Sequence, residues 1–222
     1  MNSQPAFKAI NLSSWSRKPY FDYYSRQVKC TYSITVTIEI ESLLASCRER
    51  SIKLYPAMIY IVTTAINQVE ELRMGYNEQG QLGIWNFRSP SYTIFHPDDK
   101  TFSNIWTGYH PLFSLFHHSY LQDIEQYGSV KSLFAKEGEP GNTFPISCIP
   151  WVNFTSFNLN IYDNGNYLCP IFTIGQYTKY DHKTVIPVAV QLHHAVCDGY
   201  QAGLLFDAIK KLAEEPELWI KN

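Results

Sequence analysis

Two hydrophobic periods alternate along this chain and mark out its elements. Between residues 30 and 40, Tyr32, Ile34, Val36 and Ile38 are spaced by Ser and Thr, which predicts a half-buried strand. Residues 40–50 change to helical spacing. Residues 55–69 are apolar nearly all round, so that helix should be buried against a sheet. The turn signal Asn77-Glu78-Gln79-Gly80 separates Leu72-Arg73-Met74 from the strand candidate Leu82–Trp85 and predicts a hairpin. Further on come a strand over 91–95, a helix over 111–127 and a solvated loop over 136–142. Strands are then expected over 146–148, 154–160, 168–177 and 185–191, and a helix over 200–214 closes the chain. A short helix over 15–25 precedes all of these. No internal repeat appears, which removes solenoids and propellers. The pattern predicts a mixed α/β fold with one large mixed sheet and helices packed against it.

Composition narrows this picture. At 222 residues with 45% hydrophobic content, a single domain over 1–222 with a substantial core is expected. A net charge of −2 gives no electrostatic case for nucleic acid or an anionic membrane, and small molecules are the better partners. No apolar run approaches the roughly 20 residues that span a bilayer, and no charged start leads into an apolar segment, so a soluble, cytoplasmic protein is expected. Cys30, Cys47, Cys148, Cys169 and Cys197 are an odd, scattered set that suits free thiols in a reducing compartment. The 16 tyrosines suit core packing and subunit contacts, with enough left over for an aromatic ligand pocket.

The chemistry gathers in Gln191-Leu192-His193-His194-Ala195-Val196-Cys197-Asp198-Gly199-Tyr200, where an apolar strand meets an amphipathic helix. Successive strand residues point to opposite faces, so His193 and His194 cannot both enter one cavity if both are extended. One of them is expected to serve structure. A metal site is disfavoured, because neither a Cys-x-x-Cys nor a His-x-x-x-His pair supplies further ligands. Cys197 reads as a small buried side chain rather than a nucleophile. Asp198 suits the start of the closing helix as its cap.

The pattern His-His-x-x-x-Asp-Gly resembles the signature of the coenzyme A-dependent acyltransferases, and the longer string is similar to that of the chloramphenicol acetyltransferase family. Stretches at Trp15-Ser16-Arg17-Lys18, Lys53-Leu54-Tyr55-Pro56, Glu71-Leu72-Arg73-Met74, Tyr92-Thr93-Ile94-Phe95-His96, Ile146-Ser147-Cys148-Ile149-Pro150-Trp151 and Phe157-Asn158-Leu159-Asn160 extend the resemblance over almost the whole chain.

The resemblance implies a two-layer sandwich and acetyl transfer from acetyl-CoA, as co-substrate, to the primary hydroxyl of chloramphenicol in a ternary complex. It needs no metal or prosthetic group, and it implies antibiotic resistance. His194 would be the general base, with its Nδ1–H held by its own backbone carbonyl. Ser147 would donate to the oxyanion, and Thr173 would position a water nearby. Asp198 would pair with Arg17 rather than complete a triad. Tyr24, Tyr32, Thr93, Phe102, Phe134, Leu159 and Tyr167 would line the antibiotic pocket, and Lys53, Tyr55, Trp151 and Tyr177 the coenzyme A tunnel. A homotrimer with sites between subunits is implied. Relatives carry Phe at the positions of Tyr32 and Tyr167, and His at that of Gln201. Rival readings are acyl transfer to another xenobiotic alcohol or a dihydrolipoyl group, and drug binding without reaction. No lipoyl domain or Ala/Pro-rich linker accompanies the chain.

Overall fold

The strand predicted over 185–191 is the longest of the sheet and pairs with three others. In a computed structural model, which describes residues 4–163 and 165–220, strands β1 (Phe7–Ala9) to β10 (Lys183–His193) alternate with helices α1 (Lys18–Asp22) to α5 (Gly199–Glu214). The large sheet has seven strands in the order β2 (Thr31–Glu39), β10, β8 (Ile171–Ile174), β7 (Thr143–Cys148), β5 (Ser89–His96) and β6 (Thr101–Trp106), with β9 (Thr178–Tyr180) also on β10. It is mixed: β5 and β8 run parallel to β7, while the other pairings are antiparallel. A smaller sheet joins β1, β4 (Leu82–Trp85) and β3 (Met74–Tyr76). The β3–β4 hairpin turns at Gly80, whose φ of +72° explains the glycine.

Helix α3 (Leu54–Gln68) buries ten of its residues, as its all-round apolar pattern requires. It packs with α2 (Glu41–Glu49) and α5 against the sheet, and α4 (Phe113–Tyr127) completes the helical layer. Tyr92, Ile146, Phe172, Val188 and Val190 point from the sheet into this core. Residues one step away, among them Thr173, face the opposite side.

Several predicted elements are corrected. Residues 154–160 form no strand: Phe157 and Leu159 lie across the outer face of β8 and β10 and close a crevice with Ile171, Thr173, Ala189 and Gln191. Their period of two is real, but it serves packing onto a sheet face rather than pairing at an edge. Of residues 168–177 only the four of β8 are strand, and β9 begins just beyond them at Thr178. The helix expected over 15–25 is α1 followed by a π-helical turn, Tyr23–Gln27, where the Ser25 hydroxyl donates to the Phe21 carbonyl at 2.5 Å. The strands β1, β6 and β9 are absent from the sequence pattern read above.

Candidate active site

Strand β10 runs to His193, so the two histidines part at a strand end. His193 is the last paired residue, opposite Thr31, and is 2% exposed. Its Nδ1 accepts the Ala195 N–H at 3.1 Å, and burial pushes its pKa down. His194 begins the following turn, anchored by its N–H to the Cys30 carbonyl at 2.9 Å. Its ring lies parallel to Tyr24, centroids 4.0 Å apart, and meets Tyr32 edge-on at 5.4 Å. The π-helical turn delivers Tyr24 to that face. The Tyr32 hydroxyl donates to the Cys197 carbonyl at 3.0 Å, which ties β2 to the turn.

Asp198 holds the other side of the ring. Its Oδ2 accepts from Arg17 Nη1 at 2.9 Å, while its Oδ1 lies 3.1 Å from His194 Nδ1. This corrects the expectation of a backbone carbonyl at Nδ1. The reason is local: the turn ends on an extended Asp198 at the helix cap, which swings its carboxylate back onto the imidazole four residues earlier. The Arg17 hydrogen bond holds the Asp198 carboxyl below its ordinary pKa, against the opposing effect of burial, and Asp198 raises Arg17 in turn. A carboxylate at Nδ1 fixes the Nδ1–H tautomer and turns Nε2 into the proton acceptor. The Cys197 thiol is fully buried and pushed up to about 12 by desolvation, which makes it inert.

Gln201, where relatives carry His, joins this arrangement as the third residue of the closing helix, in a capping box with Asp198. Its Oε1 accepts the Asp198 N–H, and its Nε2 donates to Glu71, each at 3.0 Å. An acidic residue so far from Gln201 in sequence gives no local signal of contact.

The remaining predicted residues fall into three other places. Ser147 and Thr173 are register partners on β7 and β8, and Thr93 stands on β5 opposite Asn104. Asn104 also bridges Phe134, while Phe102 and Phe134 are exposed and Leu159 covers the Thr173 crevice. Thr173 pairs with Ala189, four residues before His193, so roughly 13 Å of strand separates that level from the histidines. Within one chain, His194 and the Ser147–Thr173 pair are therefore not brought together.

Tyr55 and Tyr177 line a cavity of about 470 Å³ with Met58, Cys148, Gly175 and Ile186, past the ends of β7 and β8. Burial raises Tyr55, whose hydroxyl reaches the Thr93 carbonyl at 3.4 Å, and pushes the Cys148 thiol up to about 11. Lys53 caps α3 beside this opening, and Trp151 follows the lining residue Pro150, its ring edge-on to Phe95 at 4.7 Å. Tyr167 goes elsewhere: it lines a separate cavity with Arg88 and Cys169 rather than joining Tyr24 and Tyr32. No cluster able to hold a metal and no helix long and apolar enough to cross a membrane occurs among the described residues.

Comparison with known proteins follows this geometry. The family model described as chloramphenicol acetyltransferase matches residues 5–210. A chloramphenicol acetyltransferase of Clostridium perfringens is 49% identical over 214 residues, covering 96% of this chain and 98% of that protein. One from Staphylococcus aureus is 44% identical over 214 residues, with 96% and 99% covered. Among solved structures, a chloramphenicol acetyltransferase superposes with a TM-score of 0.86 at 19% identity, over 94% of this chain and all of that one. The cubic core of a pyruvate dehydrogenase complex shares the fold at a TM-score of 0.64 and 14% identity, over 86% of this chain and 84% of that one. A whole-length family match and relatives at this identity lead to one conclusion: the chain belongs to the chloramphenicol acetyltransferase family.

Proposed function

We propose that this chain acetylates the primary hydroxyl of chloramphenicol, with acetyl-CoA as co-substrate, by direct transfer in a ternary complex. The observation that carries the reading is the His194 ring, stacked on Tyr24 and bonded at Nδ1 to Asp198, with Nε2 left to accept a proton. Nε2 removes the hydroxyl proton as the oxygen attacks the thioester carbonyl. Negative charge then builds on the thioester oxygen, where the Ser147 hydroxyl donates to it and Thr173 holds a water nearby. Collapse of this intermediate expels the coenzyme A thiolate, which takes the proton back from His194.

The cavity beside Tyr55 and Tyr177 suits the pantetheine arm, with Lys53 and Trp151 at its mouth. Tyr24, Tyr32, Thr93, Phe102, Phe134 and Leu159 serve the antibiotic. Because His194 and Ser147 stand apart within one chain, each site joins the His194 face of one subunit to the Ser147 face of the next, in a homotrimer. Acetylation in the cytoplasm then confers resistance. Thiol release from acetyl-CoA, followed with a colorimetric thiol reagent, tests the reading: release should depend on chloramphenicol. Release with dihydrolipoamide alone, or drug binding without release, would overturn it.

A further inference from the structure

Helix α5 opens on a capping box, which needs only an acceptor at the third helical position, so Gln or Glu serves there equally. Gln201 does more. It is 7% exposed, its Oε1 accepts the Asp198 N–H at 3.0 Å, and its Nε2 donates to Glu71 Oε1 at 3.0 Å. Glu71 belongs to the 3-10 turn Glu70–Arg73, which follows α3. One amide thus ties the cap of α5 to a different segment, and only a side chain that both accepts and donates can do so.

The tie bears on the imidazole through charge as well as geometry. Asp198 divides its carboxylate between Arg17 and His194. The Arg17 pKa is raised first by the Asp198 hydrogen bond, against burial, and then by the charges of Asp198 and Glu71. Two carboxylates therefore act on one guanidinium. Arg17 Nε and Nη2 are buried with no hydrogen-bond partner among the described residues, so this guanidinium has donors left for a second carboxylate. The Gln201 amide holds one oxygen of Glu71, while Arg17 Nη1 stays on Asp198 Oδ2 and His194 on Asp198 Oδ1.

We propose that Gln201 and Glu71 are positioning residues for acetyl transfer: the Gln201 amide, held by Glu71, fixes the Asp198 main chain so that the carboxylate keeps the His194 ring in its Nδ1–H tautomer. This deepens the acetyl-transfer reading and rests on it. Both residues act through Asp198. Loss of the amide's donation to Glu71 should therefore slow the chemical step and leave substrate binding intact, because it displaces the base alone. A residue that merely capped the helix would move stability and not the rate of the folded protein.

Gln201→Glu separates the two roles, since a carboxylate at that position keeps the capping box but cannot donate to Glu71. Its kcat for chloramphenicol-dependent thiol release should fall roughly tenfold or more, with both KM values within about twofold of wild type. Glu71→Ala breaks the same link without adding charge and should lose kcat alike. Glu71→Gln combined with Gln201→Glu restores one amide and one carboxylate with their roles exchanged, and most of the lost kcat should return. Imidazole nitrogen NMR spectra of isotope-labelled protein, assigned with His194→Ala, read the tautomer whatever the acceptor is. His194 should hold its proton on Nδ1 in wild type and in the exchanged pair, and share it between both nitrogens in Gln201→Glu. Wild-type kcat in either single variant, an unchanged His194 tautomer in Gln201→Glu, or an exchanged pair no better than that variant would overturn the proposal. Absence of chloramphenicol-dependent release in wild type would instead overturn the acetyl-transfer reading, and the spectra would still decide what Gln201 and Glu71 do to the ring.

Discussion

At the scale of the residue, His194 is held by three different forces: a stacked Tyr24, an edge-on Tyr32 and a charge-assisted bond to Asp198. His194→Ala should keep the fold while kcat falls about 10²–10⁴-fold, the usual worth of a general base. His193→Ala should act on stability instead, which thermal melts and initial rates separate. Equal rate losses in two well-folded variants would show the roles to be misassigned. The Arg17–Asp198 pair sets a pH window. Arg17 depresses the Asp198 pKa, so the stabilisation is complete above the unfolded value of about 3.9 and is lost as pH falls through the lower folded value. Urea midpoints of wild type and Asp198→Asn should therefore differ near neutrality and converge in acid. A gap that persists at low pH would mean that the carboxylate charge contributes nothing.

At the scale of the element, two contacts decide how helices and strands lock. Lys136 Nζ meets Asp123 Oδ1 at 2.6 Å, with both side chains 14% exposed, donates to the Trp106 carbonyl and sits 3.9 Å over the Trp106 ring. Asp123 also accepts from Thr107 at 2.6 Å, so α4 is fastened to the end of β6 through one carboxylate. Lys136→Met should leave that charge unpaired and cost about 3–5 kcal/mol, read from denaturant midpoints. The second contact is steric. A Cβ on Gly175 would fall 2.6 Å from Pro187 and 2.8 Å from Phe154, so Gly175→Ala should destabilise by about 1–3 kcal/mol. Because Gly175 lines the cavity beside Tyr55, KM for acetyl-CoA should rise with it.

At the scale of the whole molecule, the register of β8 against β10 keeps His194 and Ser147 apart in one chain, and assembly must supply what folding does not. If each site joins two subunits, His194→Ala and Ser147→Ala proteins unfolded together and refolded as an equal mixture should regain about a quarter of wild-type activity, since one interface in four receives both residues. Activity no higher than the parents' average, with subunit exchange demonstrated, would place both residues in one subunit's site.

Sequence by itself determined whatever depends on local period and turn chemistry. The buried α3, the hairpin at Gly80, the edge strand β2 and the junction of β10 with α5 each carry their signal within a dozen residues. The His193–His194 pair and the Arg17–Asp198 partnership were also legible, the latter through family resemblance, because no local pattern links positions so far apart. Tertiary structure alone decided the rest. It laid Phe157 and Leu159 on a sheet face instead of an edge, because alternation fixes which side is apolar and not what covers it. It sent Tyr167 to Arg88 instead of to Tyr24. It turned the Asp198 carboxylate onto Nδ1 through the geometry of one turn, and it joined Gln201 to Glu71 across the fold. Each of these rests on strand register and on the packing of distant segments, which are fixed only when the whole core closes.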